Sequence, residues 1–475
     1  MKKIISKFLI IALSMIMLAG CSKEFLDEPQ PTDGVTSSVV FTSRGGVEAF
    51  ISGIMRRFRT QYTNVDSAGL NSIFYARTVK GNDIIAANTW YNFDYANDNR
   101  EPTYRRVGFT WNYCFDMVNQ ANALINGVEK SNLSAADKKE FMAYGYALRG
   151  FFYHQLVLEF CPTYSFDKNF PAPPIYTELS LEGKPMSTVA EVYDLIVSDL
   201  TKAVDGLTSS RLGKSYINKE VANGILAQVY QVMGKWSDAA VAAKSSYGGN
   251  PGAVLNAQGY RTGFNDYSNI EWIWGSAQSA DQSNYYWGAP HAMSDFTVTS
   301  YAAMHINVNF ASLFSATDVR RMFQLRSSAL QPTDFRYWIT NKFKFTFDAD
   351  HPIIRTAEMI LIEAEAKNRL GDDVAAGNLL YTLQKNRDVN AVKSSNTCSA
   401  LLEEILTERR KELYAEIGVE WFDAKRLRRA ITRTGNHRVG ASANLLADDK
   451  KFFLKIPLAE IDANPFIDES VNANR

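Results

Sequence analysis

The segment LAQVYQVMGKWSDAA, residues 226–240, decides the fold, because its pattern of small residues returns in EAEAKNRLGDDVAAG, residues 363–377. The shared positions are Ala227, Gly234 and Ala239 in the first copy and Ala364, Gly371 and Ala376 in the second. Small residues let two helices cross closely, and a glycine between them allows a tight turn. Each copy therefore predicts a helical hairpin of the tetratricopeptide type, in which neighbouring pairs bury a shared core.

The flanking sequence predicts further helices. Ser134, followed by Asp137, is typical of a helix start, and apolar residues then recur at spacings of three and four until Pro162. The stretch from Thr188 to Leu200 repeats this pattern, and helical periodicity begins near Ser43. We therefore predict a mostly α-helical chain, built as a scaffold of tetratricopeptide-like hairpins.

The residues between the two copies have a different composition. Residues 249–350 are rich in Gly, Asn, Ser, Tyr and Trp and contain few helical runs. They predict a loop-rich insertion on the helical scaffold, with short strands around Glu271–Trp274. We therefore assign residues 43–475 to one helical domain that carries this insertion.

Charge and hydropathy exclude some functions. The chain has 475 residues, of which 51 are basic and 51 acidic, so no overall field attracts nucleic acid. After residue 21 no apolar run approaches the roughly 18 to 20 residues that a membrane-spanning helix needs. We therefore predict a water-soluble body that does not bind nucleic acid.

The N-terminus has the pattern of an export signal. Lysines at positions 2, 3 and 7 precede the apolar run Phe8–Leu18, which is too short to span a bilayer. The run ends in LAGC, residues 18–21, which is typical of a bacterial lipobox. We predict a signal peptide at 1–20, lipidation of Cys21 and a tether over 21–42. The alternative is an ordinary signal peptide with an incidental cysteine.

Catalytic and metal-binding motifs are missing from the sequence. The five histidines form no zinc spacing, and no GxSxG elbow is present. Hard oxygen donors cluster at Asp94, Asn97, Asp98 and Asn99, but the EF-hand spacing is absent, so we predict a solvated turn without calcium. We predict no cofactor and no metal. A pair of glycosidase carboxylates cannot be recognised from sequence spacing.

Two other groups of residues are predicted to be structural. In ERRKELYAE, residues 408–416, the helical neighbours Glu408, Arg409 and Glu412 predict an ion-pair network. Trp421, Asp423 and Arg426 are predicted to lock the last hairpin to the body. Cys114, Cys161 and Cys398 allow at most one disulfide, and we interpret them as small buried hydrophobic residues.

Seven segments in order resemble the SusD/RagB outer-membrane lipoproteins of Bacteroidota. They are CSKEFLDEP after the lipobox, ALRGFFYHQLVLEFCP at 147–162, the hairpin at 217–247, RTAEMILIEAEA at 355–366, LQKNR at 383–387, ERRKELYAEIGVEWFDAKR at 408–426 and LKIPLAEIDANP at 454–465. The resemblance implies a SusD-like α-α superhelix. It also implies an outer-membrane, lipid-anchored protein on the cell exterior that binds a nutrient glycan and delivers it to a SusC-like TonB-dependent transporter. It implies no enzymatic reaction.

Two aromatic segments have the composition of a sugar site, because sugar rings stack on aromatic faces and their hydroxyls need amide or carboxylate partners. The predicted ligand-binding residues are Asp83, Asn88, Trp90, Tyr91 and Tyr95 in the first segment, and Asn284, Tyr285, Tyr286 and Trp287 in the second. The alternative is that these aromatics cover the core or face the transporter. A third aromatic group, Phe335, Tyr337 and Trp338, is predicted to serve packing.

Two other functions stay open at this stage. The same architecture could bind peptides, as RagB-like members do, and a charged groove would favour that function. An anchored glycoside hydrolase is the third hypothesis, and it requires a carboxylate pair in the aromatic cleft.

Overall fold

The computed structural model describes residues 40–59, 64–279, 290–297, 301–440 and 444–475. The predicted signal peptide, Cys21 and the site residues Asn284, Tyr285, Tyr286 and Trp287 lie outside these ranges. No helix within them is both long and apolar enough to cross a membrane.

Helices dominate the described ranges. The α-helices are α1 Arg44–Arg56, α2 Leu70–Thr78, α3 Asn92–Tyr95, α4 Arg105–Glu129, α5 Ala135–Phe160, α6 Val189–Gly206, α7 Lys219–Met233, α8 Trp236–Tyr247, α9 Pro251–Val254, α10 Pro290–Ser294, α11 Val308–Ala311, α12 Thr356–Arg369, α13 Asp373–Arg387, α14 Cys398–Leu413, α15 Val419–Arg426 and α16 Leu458–Ala463. The strands are β1 Ile84–Ala86, β2 Pro171–Ala172, β3 Ser187–Thr188, β4 Trp272–Ser276, β5 Met304–Ile306, β6 Phe323–Leu325, β7 Trp338–Thr340 and β8 His351–Arg355. The prediction of a mostly α-helical fold is confirmed.

Side-chain caps set the starts of the predicted helices. Ser43 accepts a hydrogen bond from the backbone N–H of Gly46 at the start of α1, and Ser134 accepts one from Asp137 at the start of α5. At α6, Thr188 and Glu191 form a reciprocal capping box. Each cap satisfies backbone donors that have no partner within the helix.

The two repeated segments are helical hairpins that pack against each other. Gly234 joins α7 to α8 with φ 70°, and Gly371 joins α12 to α13 with φ 83°, a left-handed conformation that favours glycine. Helix α8 packs against α12, so the hairpins are neighbours in space although they are distant in sequence. Helices α4, α5 and α6 precede the first hairpin. Each packs against the next in chain order, and α6 packs against α7, which extends the helical array.

The residues between the hairpins supply short strands. Strand β4, which falls on the predicted strand region, pairs with β8 in a two-stranded sheet. Strands β5, β6 and β7 join β1 in a four-stranded sheet of order β1-β5-β7-β6. This larger sheet lies over a second hydrophobic cluster, separate from the main helical cluster, that includes Ile85, Tyr91, Met304 and Phe310. The outer boundaries of the insertion remain a prediction.

The predicted ion-pair network is present and buried. Glu412 accepts hydrogen bonds from Arg320, Arg355 and Arg387 at 2.9 to 3.1 Å. Arg320 also pairs with Glu408 at 2.5 Å. These charges lie in the protein interior, where each needs a partner to offset the cost of desolvation.

The predicted attachment of the last helical hairpin, α14 and α15, to the rest of the protein is also confirmed. Asp423 in α15 pairs with Arg409 of α14 at 2.9 Å, and Arg426 pairs with Glu365 of α12 at 2.7 Å. The ring of Trp421 is buried beneath α2, with the Arg77 guanidinium 5.3 Å from its centroid.

Two local predictions need correction. The cluster at 94–99 is not a solvated turn, because Asp94 is fully buried, pairs with Arg106 at 3.4 Å and accepts a hydrogen bond from Asn99 at 2.9 Å. Cys398 is exposed, although Cys114 and Cys161 are buried as predicted, and all three are free thiols.

Candidate functional site

Strand pairing brings together two loop segments that are far apart in sequence. Strand β1 runs antiparallel to β5, with Ala86 opposite Met304. The pairing continues past the strands, because the N–H of Ala87 donates to the carbonyl of Ala303 at 2.8 Å. The chain that leaves β1 therefore lies beside the chain that enters β5, and Trp90 meets Tyr301 there.

Trp90 and Tyr301 form an aromatic platform. Their ring centroids are 4.9 Å apart and their planes are inclined by 32°. Trp90 is 40% exposed, whereas Tyr301 is partly buried against the second hydrophobic cluster. Tyr301 thus supports the Trp90 indole from the protein side, and part of the indole remains open to a ligand. We call this pair the Trp90–Tyr301 platform.

Polar groups border the platform and hold its loop. Asn88 is exposed two residues before Trp90, and its amide can both donate to and accept from hydroxyl groups. Arg438 donates from Nη1 to the carbonyl of Ala86 at 3.1 Å and to Oδ1 of Asn92 at 2.8 Å. The Arg438 guanidinium therefore ties the start of the loop to its end.

Asp83 has a structural role here, which corrects its prediction as a ligand contact. It is 4% exposed, and its carboxylate accepts from Nε of Arg410 at 2.9 Å in a bidentate pair. Its carbonyl accepts from the N–H of Asn307 at 3.0 Å, just beyond β5. Asp83 thus joins β1 to α14 and to β5, and its charge is neutralised.

Tyr91 and Tyr95 are also corrected, because both are fully buried and offer no face for stacking. The Tyr91 ring packs edge-on against Tyr75 with centroids 4.7 Å apart, and its hydroxyl donates to the carbonyl of Val65. The Tyr95 hydroxyl lies 2.6 Å from Nδ1 of His437, and the Arg433 guanidinium lies 4.2 Å from its ring centroid. Burial raises the pKa of both phenols. Both residues form the support beneath the loop.

The remaining aromatic and polar residues of this region have different positions. Asn88 and Trp90 lie together on the surface, as a binding site requires. Tyr301 was missed, because only the β1–β5 pairing places it beside Trp90. In the third aromatic group, Phe335 and Trp338 pack against the second cluster, as predicted, whereas the Tyr337 ring packs edge-on against Trp338 with centroids 5.0 Å apart. Among the residues that the structure describes, no group of three or more His, Cys, Asp or Glu could hold a metal ion.

Two family models match the chain in succession. The SusD-like model, described as starch-binding associating with outer membrane, matches residues 24–231, and the SusD family model matches residues 338–469. A SusD-like protein of Bacteroides ovatus is 25% identical over 236 residues, which is 49% of this chain and 40% of that protein. The match thus spans less than half the length of that relative.

Solved structures share the fold over most of the chain. A SusD-like carbohydrate binding protein from Bacteroides vulgatus has a TM-score of 0.82 at 24% identity, covering 91% of this chain and 98% of that one. Surface glycan-binding protein A from Bacteroides thetaiotaomicron, in complex with laminarihexaose, has a TM-score of 0.70 at 15% identity, covering 90% and 98%. These structures show the shared fold. The two successive matches to SusD family models, over residues 24–231 and 338–469, lead to the conclusion that the chain belongs to the SusD/RagB family.

Proposed function

We propose that this protein binds a nutrient glycan at the cell surface and delivers it to a SusC-like TonB-dependent outer-membrane transporter. The Trp90–Tyr301 platform carries the proposal. An indole that is 40% exposed, supported by a second ring and bordered by Asn88, offers the apolar face and the polar partner that a sugar ring needs. Structurally similar proteins that are described as carbohydrate-binding or glycan-binding support the same class of ligand.

The charge around the platform favours a glycan over a peptide. Asp83 is paired with Arg410, so its charge is balanced, and Arg438 commits its Nη1 donors to the carbonyl of Ala86 and the amide oxygen of Asn92. The exposed part of the platform is an aromatic ring, which suits the apolar face of a sugar ring. Peptide binding, as in RagB-like members, is the alternative that the experiments below test.

We also propose that the protein does not catalyse hydrolysis. A glycoside hydrolase needs a second carboxylate beside the first, roughly 5 to 9.5 Å away, with one group free to act as an acid. Asp83, the carboxylate predicted in the aromatic segment, is 4% exposed and paired with Arg410, which argues against that role. Related structures are described as binding proteins, which supports this function.

The proposed location is the outer face of the outer membrane, with lipid on Cys21 as the anchor. The LAGC motif supports this proposal, and one family description names association with the outer membrane. A Cys21→Ser variant should move from the membrane fraction to the soluble fraction. Unchanged fractionation and an unchanged mass of the mature N-terminal peptide would contradict lipidation.

The glycan proposal is tested by affinity electrophoresis of the soluble form in gels that contain laminarin or xylan. Trp90→Ala should weaken retention, because the loss of one aromatic contact makes the binding free energy less favourable by about 0.5 to 1.5 kcal/mol. Phe166→Ala is the matched control, because Phe166 is a 44% exposed aromatic residue in the loop between α5 and β2. The control variant should migrate like the wild type.

Three results would overturn the proposal in different ways. Equal retention of the wild type and Trp90→Ala would remove the platform from the site. Release of reducing ends from the polysaccharide would replace a binding protein with a hydrolase. Retention on immobilised peptides, with none on either polysaccharide, would change the ligand class to peptide.

A further inference from the structure

We propose a second saccharide-binding site, for neutral or amino sugars, in a groove on the helical side of the molecule. The groove lies between α4, the loop at residues 176–183 and α16, and its volume is about 420 Å³. We call it the α4–α16 groove. Its aromatic and polar residues belong to elements that pack on the main helical cluster, whereas the Trp90–Tyr301 platform lies on the second cluster. The two sites are therefore separate.

Aromatic rings form one side of the groove. Phe115 and Tyr176 are both partly exposed, and their rings meet edge to face with centroids 5.9 Å apart. Behind them Trp111 is buried against Phe115, with centroids 4.8 Å apart, and its indole N–H donates to Glu460 of α16 at 3.1 Å. The groove thus offers apolar ring surface in a fixed position.

Polar side chains from α4 lie beside these rings. Asn112, Asp116 and Asn119 are spaced by four and three residues, so they share one face of the helix, next to the face of Phe115. Asn464 faces them from the end of α16. Amide and carboxylate groups next to aromatic faces suit sugar hydroxyls, which donate and accept hydrogen bonds.

The charge of the groove selects the kind of sugar. Asp116 pairs with Arg57 at 2.7 Å, and the Lys184 ammonium, 5.2 Å from the Tyr176 ring centroid, offsets only one of the two further carboxylates that line the groove, Glu182 and Glu460. Carboxylates repel acidic sugars and attract the ammonium group of amino sugars. The groove therefore suits neutral or amino sugars and disfavours uronic acids.

Backbone hydrogen bonds hold the groove open without help from the ligand. The N–H of Tyr176 donates to the Tyr153 hydroxyl at 2.6 Å, and its carbonyl accepts from Asn122 at 3.0 Å. Asn464 donates to the carbonyl of Lys184 at 2.9 Å, which joins the loop to α16. Because these bonds do not involve the Tyr176 ring, removal of that ring should leave the loop in place.

The test uses the soluble form in native gels that contain laminarin, xylan or polygalacturonate. Tyr176→Ala removes the exposed ring, and Asn112→Leu removes an exposed amide from the same groove. On a neutral polysaccharide each variant should raise the apparent Kd about two- to twelvefold, the range of one lost aromatic or hydrogen-bond contact. Phe166→Ala is the control, and circular dichroism melting establishes that every variant is folded.

The outcomes separate this site from the proposed primary site. If Tyr176→Ala is retained less than the wild type and Trp90→Ala is retained equally, the result would support binding in the groove and refute binding at the platform. If Trp90→Ala is retained less than the wild type, and Tyr176→Ala and Asn112→Leu are both retained equally, the result would support binding at the platform and refute binding in the groove. No retention of the wild type on laminarin or xylan, or retention on polygalacturonate that depends on Tyr176, would refute the groove as described.

Discussion

The buried charge network around Glu412 should respond strongly to the loss of one negative charge. The Glu412 carboxylate accepts four hydrogen bonds from three arginines: one from Arg320, one from Arg355 and two from Arg387. These arginines hold the pKa of Glu412 well below its usual range, so the carboxylate is charged at neutral pH. Glu412→Gln keeps the shape of the side chain and removes this charge.

The geometry sets the size of the effect. Oε1 accepts from Arg355 and Arg387, and Oε2 accepts from Arg320 and Arg387, so either orientation of a glutamine amide places its NH₂ against two donors. Two charge-assisted bonds, each contributing about 1.5 to 3 kcal/mol, are lost. The combined loss of about 3 to 6 kcal/mol agrees with the roughly 3 to 5 kcal/mol that follows from breaking a buried ion pair. We expect Glu412→Gln to lower the free energy of unfolding by about 3 to 5 kcal/mol.

Urea unfolding monitored by tryptophan fluorescence measures this loss. Glu403→Gln is the matched control on the same helix, because Glu403 forms an exposed bidentate pair with Arg429. An exposed pair contributes about 0 to 1 kcal/mol, so the control should unfold close to the wild type. Equal urea midpoints for the two variants would refute the reasoning that burial makes the Glu412 charge indispensable.

Two further predictions concern pH and backbone conformation. Burial raises the pKa of Glu358 to about 7, so the folded state binds a proton more tightly than the unfolded state, and stability from this group is lost as pH rises from about 4.5 through 7. Glu358→Gln can keep the hydrogen bond from Gln228 and has no carboxyl group to ionise. Its stability relative to the wild type should therefore be greater at pH 8 than at pH 5. The same difference in urea midpoint between variant and wild type at both pH values would contradict this. Gly371→Ala should cost about 1 to 2 kcal/mol, because φ is 83° although no neighbour lies within 4 Å of the added carbon. Gly377→Ala, inside α13, should instead gain about 0.5 to 1 kcal/mol, and an equal loss of stability in both variants would contradict the assignment of the Gly371 cost to its positive φ.

Local sequence rules predicted the helical parts well. Ser134 and Thr188 mark helix starts through their own side chains, and Gly371 marks a hairpin turn through its own φ, so each signal acts within a few residues. The charged run at 408–416 predicted an ion-pair network because Glu408, Arg409 and Glu412 are neighbours at helical spacing. The sequence did not identify the partners Arg320, Arg355 and Arg387, which come from other elements.

The site depended on contacts across the chain. The composition of residues 80–100 predicted an aromatic surface but could not separate exposed from buried rings, so it gave Trp90, Tyr91 and Tyr95 equal roles. Tertiary packing exposes Trp90 and buries the two tyrosines, and pairing of β1 with β5 supplies Tyr301. The α4–α16 groove combines α4, the loop at 176–183 and α16, and only the packing of these three segments brings their lining residues together.

The sequence by itself therefore determined the helical hairpins and the family, and it predicted the class of residues that a ligand would contact. The tertiary structure decided which of those residues reach the surface and which distant segments meet. The physical reason is the range of the interactions: caps, turns and helical periodicity act over a few residues, whereas strand pairing and burial join residues separated by hundreds of positions, as Asp83 and Arg410 show.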